Sequence, residues 1–310
     1  MKKTIKNFIN YFFEKYHSSK PVANIKKGIK GDDLFFITGY DKSGTTWMKY
    51  TLNETDKFSC IGSNQYFDFF KGLPESSIVR AIQNAYERDS ILKISVSHFK
   101  SYFASSYLSR IKGVSNKKSV NFGEKSTSQD LNLIHYFFPE AKSVVLIRDM
   151  RDIIVSFAFH FDIKYKKITK NWTQERSKIN LDGSIKDDFI VQEIKKIKSY
   201  YLHLFEFEKK NKDFVRFVKY EDLIAENGFN YFFEMLQFIN PIDADRETAK
   251  KAWNNNTFEK LSKGRKPGEK DEASFFRSGT SKDYLNHLKK DQLTLIEMEL
   301  NELLYYFNYL

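Results

Sequence analysis

Short unbroken apolar blocks alternate along this chain with longer stretches in which apolar positions recur every three or four residues. The blocks at 34–37 and 143–148 read as buried strands, and 214–218 reads as a further strand. The longer stretches at 45–53, 128–138 and 153–161 predict helices, as does 291–310 with Leu295, Met298, Leu303 and Phe307 at helical spacing. Residues 4–16 carry Ile5, Phe8, Ile9, Phe12 and Phe13 on one helical face and form an expected N-terminal helical extension within residues 1–30. Strands alternating with helices predict an α/β fold: a parallel β-sheet flanked by helices, with ligands at the C-terminal ends of the strands. No Pro/Gly/Ser-rich linker or internal repeat divides the 310 residues, so a single domain is expected over 1–310.

Composition narrows the class. A hydrophobic share of 41% supports a full core, and a net charge of +11 favours an anionic ligand, a nucleic acid or a membrane surface. The positive charge is mostly Lys, scattered along the chain, and clustered Arg would point to nucleic acid more strongly. Nucleic acid is therefore not an expected partner. The single Cys60 rules out an intramolecular disulfide and fits a reducing compartment. No apolar run is long enough for a membrane span, and polar residues Asn7, Asn10 and Glu14 interrupt any signal-peptide core. A cytoplasmic location is expected.

The candidate chemistry begins where the first strand ends. Gly39-Tyr40-Asp41-Lys42-Ser43-Gly44-Thr45-Thr46-Trp47 joins a buried strand to a helix start through a Gly-punctuated turn. Unpaired backbone N–H groups and the helix dipole make such a junction an anion cradle. Two glycines have Walker A spacing, but Thr45 stands where that motif needs Lys, and the lysine is inside the loop at Lys42. At the end of the 143–148 strand, Arg148 offers a fork of donors, and Ser156 follows with a hydroxyl on the next helix; both suit a phosphate monoester.

Lys42-Ser43-Gly44-Thr45-Thr46-Trp47 resembles the 5'-phosphosulfate loop of the sulfotransferases that use 3'-phosphoadenosine 5'-phosphosulfate (PAPS). Arg148-Asp149-Met150-Arg151-Asp152 resembles the family's 3'-phosphate motif, with Met150 where proline is usual. Near the end, Phe275-Phe276-Arg277-Ser278-Gly279 and Asp283-Tyr284-Leu285-Asn286-His287 are similar to its Arg-Lys-Gly loop and Gly-Asp-Trp-x-Asn-His tail, with Ser278 for Lys and Tyr284 for Trp. Tyr220-Glu221-Asp222-Leu223 and Thr257-Phe258-Glu259-Lys260-Leu261 match segments that border the adenine. The resemblance runs in order from about residue 34 to about 288. It implies the P-loop nucleotide-kinase-like sulfotransferase fold and transfer of a sulfuryl group from PAPS, leaving PAP, to a hydroxyl acceptor.

Carried over residue by residue, the resemblance implies a cofactor site of Lys42, Ser43, Gly44, Thr45, Thr46, Trp47, Arg148, Ser156, Tyr220, Phe258, Arg277, Ser278 and Gly279. Lys42 would stabilise the leaving phosphate. Two residues compete for the base: Glu124, in a Glu-Lys-Ser segment like that of bacterial and carbohydrate-acting members, and His98, in a segment like the Thr-His-Leu-Pro of animal members. Glu124 is favoured because one predicted helix separates it from Arg148, and a partly buried carboxylate can serve as a base. His160, His203 and His287 read as structural. No metal is expected. The acceptor is expected to be an alcohol or a sugar, a small molecule or carbohydrate, with 162–200 shaping its pocket. The alternatives are a catalytically degenerate PAP- or nucleotide-binding protein and a P-loop nucleotide kinase, the latter lacking its lysine. The sequence leaves the oligomeric state open.

Overall fold

The computed structural model describes residues 33–62, 118–125, 131–168 and 173–310, and residues 104, 105, 107–109, 111 and 113 between them. His98, Trp172 and the predicted helix at 4–16 lie outside the described residues.

All six residues of β1 (Leu34–Gly39) are buried, as an unbroken apolar run requires. Its side chains divide by period two. Leu34 and Phe36 join one core with Val145 and Ile147, while Phe35 and Ile37 join a second with Val144 and Leu146. β1 is the centre of a parallel sheet formed with β2 (Phe58–Ile61), β3 (Asn121–Lys125), β4 (Lys142–Ile147) and β5 (Val215–Lys219), in the order β2-β3-β1-β4-β5. The register pairs Phe36 with Glu124, Thr38 with Val145, and Val145 with Phe217.

Helices cover both faces. In chain order they are α1 (Thr45–Asn53), α2 (Leu131–Phe137), α3 (Met150–Ile168), α4 (Asp187–Lys210), α5 (Tyr220–Ile224), α6 (Gly228–Ile239), α7 (Arg246–Asn255), α8 (Phe258–Leu261), α9 (Lys290–Glu299) and α10 (Asn301–Tyr306). α1, α6 and α7 bury Met48, Leu52, Phe232, Leu236 and Ala249 on the Phe35 side. α2, α3, α4, α9 and α10 bury Ile134, Ile153, Ile197, Ile296 and Leu304 on the Phe36 side. Each large apolar side chain so buried contributes about 1.5–3 kcal/mol. Because α1 and α3 leave neighbouring strands β1 and β4 toward opposite faces, a crevice opens between the two strand ends. That is the switch point at which α/β sheets bind ligands.

Three boundaries differ from expectation. The helix over 153–161 begins at Met150 and runs on to Ile168. The predicted helix over 291–310 is two helices meeting at Leu300, a buried residue with φ −110° and ψ 17°. The bend lets Leu303, Leu304 and Phe307 reach the core that Ile296 already occupies. Within 162–200, residues 173–186 form turns closed by an antiparallel bridge between Ile179 and Ile185. Asp162 on α3 anchors them by accepting from the Ser177 hydroxyl and, at 2.9 Å, from the Lys178 N–H.

Candidate active site

A cavity of about 400 Å³ lies at the C-terminal edge of the sheet. Asp41 and Lys42 follow β1, Lys125 ends β3, Arg148 follows β4, and Tyr220 follows β5; all five line it. Every cofactor-site residue expected from the sequence lines this cavity except Ser43. The Ser43 side chain is fully buried, with its hydroxyl near that of Tyr201. Asp41, Lys125, His160, Trp253 and Phe275 also line the cavity and were not anticipated. For His160 a signal existed: it stands four residues after Ser156, hence on the same face of α3.

The loop after β1 closes with the Ser43 N–H donating to Tyr40 O at 3.1 Å. Lys42 adopts φ 72° and Gly44 φ 94°, both left-handed. A Cβ on Gly44 would stand 3.0 Å from the Tyr220 ring, so glycine is needed there on both counts. α1 then starts without a side-chain cap, which leaves its first N–H groups directed at the cavity end of the loop. Burial, then the charge of Arg148, pushes the Lys42 ammonium down to about 8. An anion in the cavity would relieve both effects.

Arg148 is held by its own surroundings. Its guanidinium donates to Lys42 O at 3.0 Å and to Thr280 O at 3.3 Å, and it lies 4.5 Å over the Tyr220 ring. Asp152, one turn on, approaches it at 3.8 Å and accepts from the Lys282 and Tyr284 N–H groups at 2.8 and 2.9 Å. One carboxylate thus ties the Arg148 side of the site to the segment that carries Arg277, Ser278 and Gly279. Burial raises the Asp152 carboxyl to about 6 against the opposing pull of Arg148. Met150 is the first residue of α3, a position that proline also tolerates, and Asp149 fixes the turn by bidentate pairing with Arg151.

Arg277 is bound by Asp283, which also takes Lys270 at 2.7 Å. Gly279 has φ 66°, and a Cβ there would fall 2.3 Å from the Phe258 ring. The close approach of backbone to ring makes one wall of an aromatic slot. Trp47 makes another, fixed by its Nε1–H donating to Asn256 O at 2.7 Å and by Trp253 at a centroid distance of 5.2 Å.

A bound group must satisfy what the protein does not. The buried Nε atoms of Arg148 and Arg277 have no hydrogen-bond partner, and both arginines line the cavity. A buried guanidinium N–H left unpaired costs free energy that an anionic oxygen would recover. The residues present therefore fit two anions beside the aromatic walls: one at Lys42 and the α1 N-terminus, one among Arg148, Ser156 and Arg277. Among the described residues, no three His, Cys, Asp or Glu side chains converge as metal ligands would.

Glu124 is placed differently. It lies within β3, fully buried, and its Oε2 accepts from the Tyr107 hydroxyl at 2.6 Å. It does not line this cavity, whereas the next residue, Lys125, does. Among the described residues, no helix is long and apolar enough to cross a membrane.

Comparison with known proteins fits this geometry. The mouse sulfotransferase SULT7A1, crystallised with PAP, superposes with a TM-score of 0.56 at 15% identity, covering 93% of this chain and 90% of that one. The sulfotransferase STF9 from Mycobacterium avium gives 0.54 at 8% identity, covering 96% and 81%. Retinol dehydratase in complex with androsterone and inactive cofactor PAP gives 0.51 at 18% identity, covering 91% and 84%. No curated protein matches the sequence significantly. At these identities the superpositions establish the fold; the sequence itself matches the model of the sulfotransferase domain over residues 32–307, and the chain belongs to that family.

Proposed function

We propose that the protein transfers a sulfuryl group from PAPS to the hydroxyl of an alcohol or sugar. The observation that carries this reading is a cavity lined by two arginines with buried, unpartnered Nε atoms, by Lys42 and by an uncapped helix N-terminus. Two phosphates carried on one ribose, with a purine beside them, are what PAP presents, and relatives of the same fold were crystallised with it.

When bound, PAPS supplies a sulfuryl group already activated by its bond to a phosphate. The chain's own residues do the rest. Lys42, with the N–H groups and hydroxyls of Thr45 and Thr46, meets the negative charge that develops on the departing phosphate oxygen. Arg148, Ser156, Arg277 and the backbone at Ser278 and Gly279 hold the 3'-phosphate. Trp47, Tyr220 and Phe258 flank the adenine. Ser278 brings a hydroxyl rather than a third cation, so the clamp on the 3'-phosphate rests on two arginines. Glu124, the base expected from the sequence, accepts from Tyr107 and does not line the cavity. His98 lies outside the described residues.

Calorimetric titration with PAP, followed by ³⁵S transfer from labelled PAPS to simple alcohols and methyl glycosides, tests the reading. Micromolar binding with turnover supports it. Binding without turnover on any hydroxyl would leave a nucleotide-binding protein in its place.

A further inference from the structure

One cavity-lining side chain has no part in holding the cofactor and no hydrogen bond among the described residues. His160 lies on α3 one turn beyond Ser156, and both face the cavity. Asp152, Ser156 and His160 therefore form a single stripe on α3: the first ties down the Lys282–Tyr284 backbone, the second belongs to the 3'-phosphate end, and the third reaches the loop end. Among the described residues, neither ring nitrogen of His160 has a hydrogen-bond partner. Its contact is with Phe275, edge to face at 5.7 Å between centroids. The same Phe275 ring lies 4.2 Å beneath the Lys42 ammonium. One aromatic ring thus separates the imidazole from the lysine expected at the leaving oxygen.

We infer that His160 is the group that hydrogen-bonds the acceptor hydroxyl and takes its proton during sulfuryl transfer. This rests on the sulfotransferase reading above. As the acceptor oxygen bonds to sulfur, the bond from sulfur to the 5'-phosphate oxygen breaks, and its electron pair stays on that phosphate, opposite Lys42. The acceptor's proton passes to the unpaired imidazole nitrogen and from there to solvent.

Among the described residues, the composition of the cavity supports the assignment. Lys42, Lys125, Arg148 and Arg277 cannot accept a proton while charged, and Tyr220 is a half-buried phenol whose pKa burial raises. Asp41 is a carboxylate, but it interacts electrostatically with both Lys42 and Lys125, so its charge is engaged. Glu124 is on another face of β3, bonded by Tyr107. His160 is held neutral by its surroundings: burial first, then Lys42 on the loop and Lys164 on its own helix, lower it to about 4. Phosphate and sulfuryl charges beside Lys42 counter the second of these effects and raise its basicity once the donor is bound. A neutral imidazole with a vacant nitrogen suits an aliphatic hydroxyl, which needs a hydrogen-bond acceptor as it attacks.

The test uses the full chain and the variants His160→Asn and His160→Phe. Wild-type protein that does not bind PAP calorimetrically would overturn the sulfotransferase reading itself, and this inference with it. Given PAP binding, we expect both variants to bind PAP within about threefold of wild type. Release of ³⁵S-sulfuryl from PAPS to methyl β-D-glucopyranoside or to water should fall at least about 100-fold. The loss should appear in kcat, with the acidic limb of the pH–rate profile removed. Retained turnover, or a loss that leaves that limb in place, would overturn the inference; a Glu124→Gln variant that alone removes the limb would assign the proton to Glu124. A readout independent of any acceptor is the His160 ring resonance in histidine-labelled protein. Saturating PAP should raise its titration midpoint, and a midpoint that PAP does not move would count against the role.

Discussion

Lys42 concentrates the electrostatic demands of the site in one residue. The loop holds it in a left-handed conformation that costs a non-glycine residue about 1 kcal/mol, and Arg148 offsets part of that by donating to its carbonyl at 3.0 Å. Burial and Arg148 lower its ammonium to about 8. The sign of the consequence follows. An anion retains the proton on Lys42, so PAP binds best where Lys42 is already charged, below about pH 8. Above that, binding must take up a proton, and affinity is expected to fall with rising pH by up to about tenfold per unit. Isothermal titration between pH 7 and 9.5 reads this directly, and Lys42→Ala should flatten it. The same variant should lower turnover about 100- to 1,000-fold with the fold intact. Arg148→Lys keeps the charge but loses the fork and the stacking on Tyr220; PAP affinity should drop about 10- to 100-fold, while a change under threefold would mean that the guanidinium geometry is irrelevant.

Elements deliver these residues, and the delivery explains what sequence reading reached and what it missed. The run Leu34-Phe35-Phe36-Ile37 and the Gly44 turn made β1 and α1 legible to the residue at 45 and 53, because an apolar block, a glycine and a helical repeat are local signals. The burial of Glu124 was available from period two: it shares the β3 face with Phe122, which belongs to the Phe36-side core. The inward turn of His160 was available from Ser156 by helical period. Their chemical consequences were not, since they depend on Tyr107 and Phe275, which come from distant segments. The break at Leu300 had no glycine or proline to announce it; tertiary burial of Leu304 and Phe307 imposes it. Asp152 gives an element-scale prediction. Removing its carboxylate with Asp152→Ala leaves the Lys282 and Tyr284 N–H groups unpaired, at about 1–3 kcal/mol. Urea denaturation should show that loss, and PAP affinity should weaken with it because the same carboxylate ties Arg148 to the Arg277 segment. Gly279→Ala should also weaken PAP binding, since its Cβ would collide with Phe258.

At the scale of the whole molecule, four strands of one parallel sheet end at one cavity, and α1 and α3 part there to opposite faces. A site assembled from residues so far apart in sequence exists only in the folded chain, so its ligand must stabilise the fold by mass action. The charge of +11 adds a field that favours an anionic ligand. The central claim is that this cavity is built for PAP and its sulfated parent. The most direct measurement is the thermal unfolding of the full chain titrated with PAP, with ATP as control, in the presence of Mg²⁺ and of EDTA. A ligand at 100 times its dissociation constant adds about 2.7 kcal/mol to stability. The predicted result is a melting temperature that climbs with PAP concentration, equally with Mg²⁺ and EDTA, and responds far less to ATP. An unchanged melting temperature at millimolar PAP, or a rise seen only with ATP and Mg²⁺, would contradict it.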